Sequence, residues 1–224
     1  FWKGKLTNAA DKQKPAEEMA AMAKSGEVIG AGSGSTAYLT ICALARRVRE
    51  ERLDCAFIPT SHAVALTCQK EGLKIVTLSQ HQPDWCFDGA DEIDPDRNMI
   101  KGRGGAMFRE KLVFAAAKRR FILVDPSKKV ARLGEKFPVP VEVHPEALLW
   151  VTNTLKAIDD ARTEVRMAGS GKDGPVITEN GNLIVDLHLP NIQPDSETRL
   201  KAIPGVIETG LFIGYAPEIV IAGA

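Results

Sequence analysis

The stretch EVIGAGSGSTAYLTICALARRVREE, Glu27–Glu51, decides the fold. EVIGA reads as a short buried strand, GSGST as a glycine-serine turn, and AYLTICALARRVREE as a long amphipathic helix whose basic last turn suits the helix dipole. Strand, glycine turn and helix in that order make the repeating unit of a parallel sheet. The same rhythm continues downstream. DCAFIPTS (54–61) is a strand running into a loop, His62–Glu71 a helix, and LKIVTL (73–78) a strand. WCFD (85–88) is a strand that ends in the acidic run DGADEID, FREKLVFAAAKRR (108–120) a helix, and FILVD (121–125) a strand. Upstream, Lys12–Lys24 reads as a helix. Strands alternating with helices imply a parallel sheet covered on both faces, a Rossmann-like architecture.

From Phe137 the rhythm changes. VPVEV is a strand, PEALLWVTNTLKAIDD a helix opened by Pro145, and TEVRMA a strand. VITENGNLIVDLHL carries Asn180-Gly181 between apolar runs, a hairpin signal, and is followed by the helix SETRLKAI and the strand GVIETGLFI. The order β-α-β-β-α-β is that of a ferredoxin-like module. EIVIA (218–222) is expected to return to the first sheet. The fold class is therefore α/β, a Rossmann-like parallel-sheet domain over 1–133 and 207–224 with a smaller α+β, ferredoxin-like domain over 134–206.

Composition narrows the function. Twenty-nine basic and 29 acidic side chains cancel, so no long-range field draws the surface toward nucleic acid or an anionic membrane. The expected partner is a small molecule. No apolar run reaches the roughly 20 residues of a membrane span, and the N-terminal stretch lacks the apolar centre of a signal peptide, so a soluble, cytoplasmic protein is expected. Cys42, Cys55, Cys68 and Cys86 stand far apart in apolar contexts with no histidine at ligand spacing, which reads as buried thiols rather than a zinc site.

Three segments could carry chemistry. GSGST offers the amides of a glycine-rich turn at a helix N-terminus, with the hydroxyls of Ser33, Ser35 and Thr36, as a place for phosphate. A turn required only for tight strand-to-helix geometry would look the same. It is not a P-loop, the third glycine of GxGxxG is missing, and the second strand ends in Pro59-Thr60-Ser61 rather than in a ribose-binding acid, so no nucleotide cofactor is expected. In DGADEID, Asp88 closes an apolar strand and Asp91 follows it, at the carboxyl end of the sheet where α/β folds bind ligands. Asp94 and Asp96 read as a solvated loop. A metal site competes for the same carboxylates, although DEIDPDRN lacks the glycine and the last glutamate of an EF-hand. KGRGGA gives Lys101 and the amides around Gly102 and Gly104, the parts that stabilise an oxyanion, and Glu110 lies in the first turn of the next helix. Taken alone, Arg109, Glu110 and Lys111 also fit an ordinary charged helix start.

Eight ordered pieces, IGAGSGSTA, IPTS, DGADEID, KGRGGA with REK, FILVDPSK, GEKFPVPVEV, VITENGNLIVD and IPGVIETGLF, together resemble the type A family of ribose-5-phosphate isomerases along nearly the whole chain. The resemblance implies an aldose-ketose isomerase without metal or cofactor, assembled as a homodimer or homotetramer. By position, Glu110 matches the family's general base and Asp88 the carboxylate that assists ring opening. Asp91 and Lys101 match groups that handle the hydroxyl proton and the enediolate charge. Ser33, Gly34, Ser35 and Thr36 match the phosphate and substrate loop, Lys128 matches a lysine that reaches the phosphate, and Lys12 a second one. One departure stands out: Arg103 interrupts a run that is glycine throughout in the family, which would strain the backbone by about 1–3 kcal/mol if the position required positive φ. Two other classes share these features. A non-catalytic sugar-phosphate sensor would use the same loop, and an acyl or CoA transferase would use Glu110 as nucleophile.

Overall fold

The computed structural model describes residues 9–158, 160–169 and 171–222. The stretch Phe1–Asn8, used above in judging a signal peptide, lies outside them. The elements in chain order are α1 (Ala9–Ala21), β1 (Val28–Ala31), α2 (Ser35–Glu51), β2 (Ala56–Pro59), α3 (His62–Lys70), β3 (Lys74–Ile75) and β4 (Trp85–Asp88). There follow β5 (Glu92–Ile93), β6 (Met99–Ile100), α4 (Met107–Ala116), β7 (Arg119–Val124), β8 (Val139–Val143), α5 (Leu148–Lys156) and β9 (Arg162–Val165). The last are β10 (Leu183–His188), α6 (Ser196–Lys201), β11 (Val206–Thr209), β12 (Leu211–Phe212) and β13 (Glu218–Ile221).

By contacts the chain divides into two compact units. The first comprises Phe1–Gly89, Arg109–Ser127 and Pro217–Ala224, the second Ala90–Phe108 and Lys128–Ala216. The first unit is a six-stranded parallel sheet in the order β13-β7-β4-β1-β2-β3. Its strands are short continuous apolar runs because both faces are covered: Phe57, Phe87, Ile29 and Ile122 are fully buried. EIVI does return to this sheet, pairing with β7 in parallel from Glu218↔Phe121 to Ile221↔Val124. The chain runs β1 to β2 to β3 on one side and resumes with β4 on the other side of β1. That reversal is the switch point of an open α/β sheet, where ligands bind beyond the strand ends. Ala31, the last residue of β1, is paired with Phe87, the neighbour of Asp88.

The second unit holds a four-stranded antiparallel sheet in the order β11-β8-β10-β9, with α5 and α6 in the β-α-β-β-α-β connection. Val139, Val141, Val143, Val185 and Leu187 alternate onto the face that packs on Val151, Leu155 and Leu200 of the two helices. A three-stranded antiparallel sheet, β12-β6-β5, belongs to the same unit. The sequence reading put this part of the chain into the first domain. Contacts group it differently because GVIETGLFI is two strands, not one. At Gly210 the chain leaves β11 and pairs Leu211 with Ile100 of β6. A β-carbon at Gly210 would lie 2.2 Å from the Lys101 carbonyl oxygen and 2.6 Å from Pro140 Cδ, so the crossing needs glycine.

Three local expectations are shortened. LKIVTL forms only the two-residue β3, since β3 is an edge strand and its residues are exposed. The hairpin at Asn180-Gly181 closes through the single bridge Ile177↔Leu183, with Gly181 at φ 79°. The helix FREKLVFAAAKRR stops at Ala116 because Arg119 and Arg120 open β7.

Candidate active site

In the first unit the turn after β1 carries Ser33, Gly34, Ser35 and Thr36 and gathers Lys12, Asp88 and Glu110 around it. Gly34 stands at the N-cap of α2 with φ 100°, a conformation that favours glycine, and leaves the first-turn amides of a 17-residue helix without intrahelical acceptors. Buried Lys12 of α1 brings its ammonium to this helix end and donates to Ser35 Oγ at 2.9 Å. The positive end of the helix dipole and an ammonium therefore meet at one spot, an arrangement that repels itself until an anion arrives. Thr36 is buried in the same first turn.

Ser33 ties this turn to two carboxylates. Its backbone N–H donates to Asp88 Oδ1 at 2.9 Å, and its hydroxyl donates to Glu110 Oε1 at 2.8 Å. Asp88 and Glu110 are 3% and 4% exposed, so each acts in a low-dielectric setting where protein dipoles replace water. Asp88 Oδ1 also accepts from Gly89 N–H at 2.8 Å. The close approach depends on Gly32: a β-carbon there would fall 2.4 Å from Asp88 Cγ and 2.4 Å from the Phe87 carbonyl oxygen. The sequence reading named Ser33 to Thr36 and passed over Gly32. Its position directly after a buried strand was the available signal.

In the second unit, Asp91 Oδ2 accepts from the Arg103 N–H at 3.2 Å, and Asp91 N–H donates to the Ile100 carbonyl at 2.8 Å. Lys101 is buried; its N–H donates to the Gly210 carbonyl at 2.9 Å, and its ammonium sits 5.6 Å from the Phe212 ring centroid. Gly102 has φ 93° and lies where a β-carbon would meet Met107 Cβ at 2.7 Å. Gly104 has open space around it. Arg103 is not among the residues at positive φ, so the strain considered above does not arise there. Its guanidinium lies 5.1 Å from the centroid of Phe137, and the ammonium of Lys128 lies 5.6 Å from the same ring.

The remaining carboxylates of DGADEID have structural work. Glu92 is fully buried and accepts from the backbone amides of Gly134 at 2.7 Å, Lys136 at 2.5 Å and Phe137 at 2.7 Å. Asp94 caps the β5–β6 turn by accepting from Asn98 N–H at 2.8 Å, and Asp96 is exposed in that turn. Among the described residues, no group of three or more His, Cys, Asp or Glu side chains gathers in the manner of a metal site. The four cysteines are free thiols, three of them buried. No helix among the described residues is long and apolar enough to cross a membrane.

Comparison with known proteins gives this geometry its context. Residues 56–224 match the family described as "Ribose 5-phosphate isomerase A (phosphoriboisomerase A)". The chain belongs to the ribose 5-phosphate isomerase A family. It is an enzyme of the isomerase class. The ribose-5-phosphate isomerase A of Methanothermobacter thermautotrophicus is 45% identical over 200 residues, 88% of this chain and 87% of the relative. The solved structure of ribose 5-phosphate isomerase A from Methanocaldococcus jannaschii superposes with a TM-score of 0.91 at 40% identity, covering 96% of each chain. A D-ribose-5-phosphate isomerase solved in complex with phospho-erythronic acid also gives 0.91, at 39% identity, covering 96% of this chain and 94% of the other.

Proposed function

We propose that the chain interconverts D-ribose 5-phosphate and D-ribulose 5-phosphate by proton transfer through an enediolate, using protein groups alone. The observation that carries this reading is Ser33, one residue whose amide binds Asp88 and whose hydroxyl binds Glu110 within the turn that also receives Lys12. Phosphate seated on the first turn of α2 accepts from the amides and hydroxyls of Ser35 and Thr36, with Lys12 and Lys128 supplying positive charge. Gly34 lets the backbone approach. The relative solved with phospho-erythronic acid holds a phosphorylated sugar acid, a ligand of this shape and charge.

Proton abstraction next to a carbonyl needs one base, one electrophile and a cradle for the transient oxyanion. Glu110 is the base that moves the proton between C1 and C2. Asp88 assists ring opening, so that the open-chain carbonyl forms at the site. Asp91 handles the hydroxyl proton, while Lys101 and the amides of the Gly102–Gly104 loop stabilise the enediolate. The non-catalytic sensor, using the same turn to bind without turnover, is the alternative. Two buried carboxylates joined through Ser33 favour turnover, since a sensor needs no base beside its ligand. The setting is cytoplasmic sugar-phosphate metabolism, and the assembly a homodimer or homotetramer.

The test is Glu110→Gln. This variant keeps the hydrogen-bonding shape toward Ser33 and removes the base, so kcat for ribose 5-phosphate falls by roughly 100- to 10,000-fold while binding of a phosphorylated aldonic acid is retained. Isomerisation left intact in that variant, or appearing in the wild type only after metal is added, overturns the mechanism.

A further inference from the structure

Arg166, just beyond β9, has no part in the scheme above and was not singled out in the sequence. Its guanidinium is engaged on both edges. Nε donates to Asp186 Oδ2 at 2.8 Å and Nη2 to Asp186 Oδ1, a two-pronged pair with both side chains mostly buried, at 16% and 17% exposure. Nη1 donates to two successive loop carbonyls, Gly102 at 3.1 Å and Arg103 at 2.8 Å. Asp186 lies on β10, so the fork fixes the guanidinium to the rigid four-stranded sheet and presents one N–H edge to the KGRGG loop. The same sheet face meets the loop again at Gly105, where a β-carbon would come 3.1 Å from Ile184 Cδ1.

What this clamp does follows from the planarity of the peptide group, in which C=O and the next N–H point in opposite directions. With the Gly102 carbonyl drawn to Arg166, the N–H of Arg103 must face the other way, and it meets Asp91 Oδ2 at 3.2 Å. With the Arg103 carbonyl drawn to Arg166, the N–H of Gly104 is likewise turned away from the guanidinium. We infer that Arg166, held by Asp186, is a positioning residue that sets the direction of the Arg103 and Gly104 amides, and through the Arg103 amide the Asp91 carboxylate, for the isomerisation step. This rests on the proposed role of Asp91 and the glycine loop in stabilising the enediolate. A cation behind the carbonyls also lowers the cost of crowding their oxygens on one side, so the loop holds its donors aligned before the substrate arrives. Preorganised donors act on the charge that develops during reaction, so their loss shows in kcat rather than in KM.

The experiment compares wild type with Arg166→Met/Asp186→Leu, Arg166→Lys and Asp186→Asn in steady-state assays with ribose 5-phosphate, with folded fraction measured at the assay temperature. Replacing the ion pair by apolar side chains of similar size keeps such a pair's packing without leaving a buried charge. The double variant is expected to lose roughly 10- to 100-fold in kcat with KM within about threefold, the scale of a small misplacement of catalytic groups. Arg166→Lys, which keeps the charge but not the fork, recovers part of that loss. Asp186→Asn, which keeps the bonds to the carbonyls but loosens their anchor, loses less than the double variant. A folded double variant with kcat within about twofold of wild type, or one that raises KM alone, overturns the inference. If the double variant does not fold, Arg166→Lys with wild-type kcat overturns it equally. A wild-type protein that fails to isomerise the sugar phosphate removes the functional reading and this inference with it, whereas an active wild type beside an unaffected variant removes only the inference.

Discussion

Glu92→Gln is a conservative change that the structure makes severe. The carboxylate is fully buried, with three backbone amides on its two oxygens: Gly134 on Oε2, and Lys136 and Phe137 on Oε1. Glutamine has the same shape, but one oxygen becomes an NH2 that cannot accept. With the amide nitrogen in the place of Oε2, the Gly134 N–H faces another donor and loses a charge-assisted bond of about 1.5–3 kcal/mol, while the other two bonds drop from charged to neutral and lose about 0.5–1.5 kcal/mol each. The opposite orientation strands two amides and is worse. The expected loss of stability is therefore about 2.5–6 kcal/mol. Urea unfolding measures it, and hydrogen exchange at Gly134, Lys136 and Phe137 locates it. On the role proposed for Lys128 the effect reaches function, because Glu92 ties down the segment that carries Lys128 and Phe137, together with the Val130 N–H to Ile93 carbonyl bond at 3.0 Å. KM for the phosphorylated substrate should rise more than kcat falls. A loss below about 1 kcal/mol with those three amides still protected would refute the account of how this carboxylate works.

Two further outcomes follow from the geometry. Arg103→Gly restores the family's glycine run but removes only a guanidinium stacked on Phe137, since the position does not need positive φ. It should cost about 0.5–1 kcal/mol and leave kcat within about twofold, and a large gain in turnover would show that Arg103 obstructs the reaction. Burial pushes the Cys68 thiol up to about 12 from 9.0, so between these values the folded state holds a proton that the unfolded chain has lost. Stability contributed by the neutral thiol is intact below pH 9 and falls as pH rises toward 12, by up to about 1.4 kcal/mol per pH unit. Denaturation at several alkaline pH values should show a shallower decline in Cys68→Ala, whose small cavity lowers stability equally at every pH; identical slopes would contradict this.

The parallel sheet was legible because its four inner strands are buried on both faces and so read as continuous apolar runs: VIGA, AFIP, WCFD and FILV need no partner to be recognised. The β-α-β-β-α-β module was legible for a related reason, the regular alternation in VPVEV and LIVDLH. The strands β5, β6 and β12 were not, because two residues carry no period. Their pairing is dictated by Gly210, which lets the chain change sheets between a carbonyl and a proline ring. Among the candidate site residues, Ser33, Asp88 and Glu110 were visible as types at strand and helix ends. Arg166 was not, because its meaning lies in two carbonyl oxygens more than sixty residues away, and backbone acceptors leave no trace in composition.

The acidic run shows why such legibility stops where it does. Four carboxylates in seven residues repel one another, and the chain tolerates them because each is turned to a different set of donors. Asp88 ends a parallel strand at the switch point and takes the amides of Ser33 and Gly89. Asp91 begins the next unit's turn and takes the amide of Arg103. Glu92, on a strand of that unit, is buried under three amides, and Asp94 closes the hairpin. Each of the bonds just named is donated by a backbone amide. Such bonds fix the orientation of a carboxylate from the backbone itself. At Asp88 the donors are the amides of the turn after β1 and of the next residue; at Glu92 three amides of one segment make the carboxylate a brace. Asp88 and Glu92 stand four residues apart in one acidic run, and which amides the fold brings to each separates the two uses, something that spacing in the sequence does not carry.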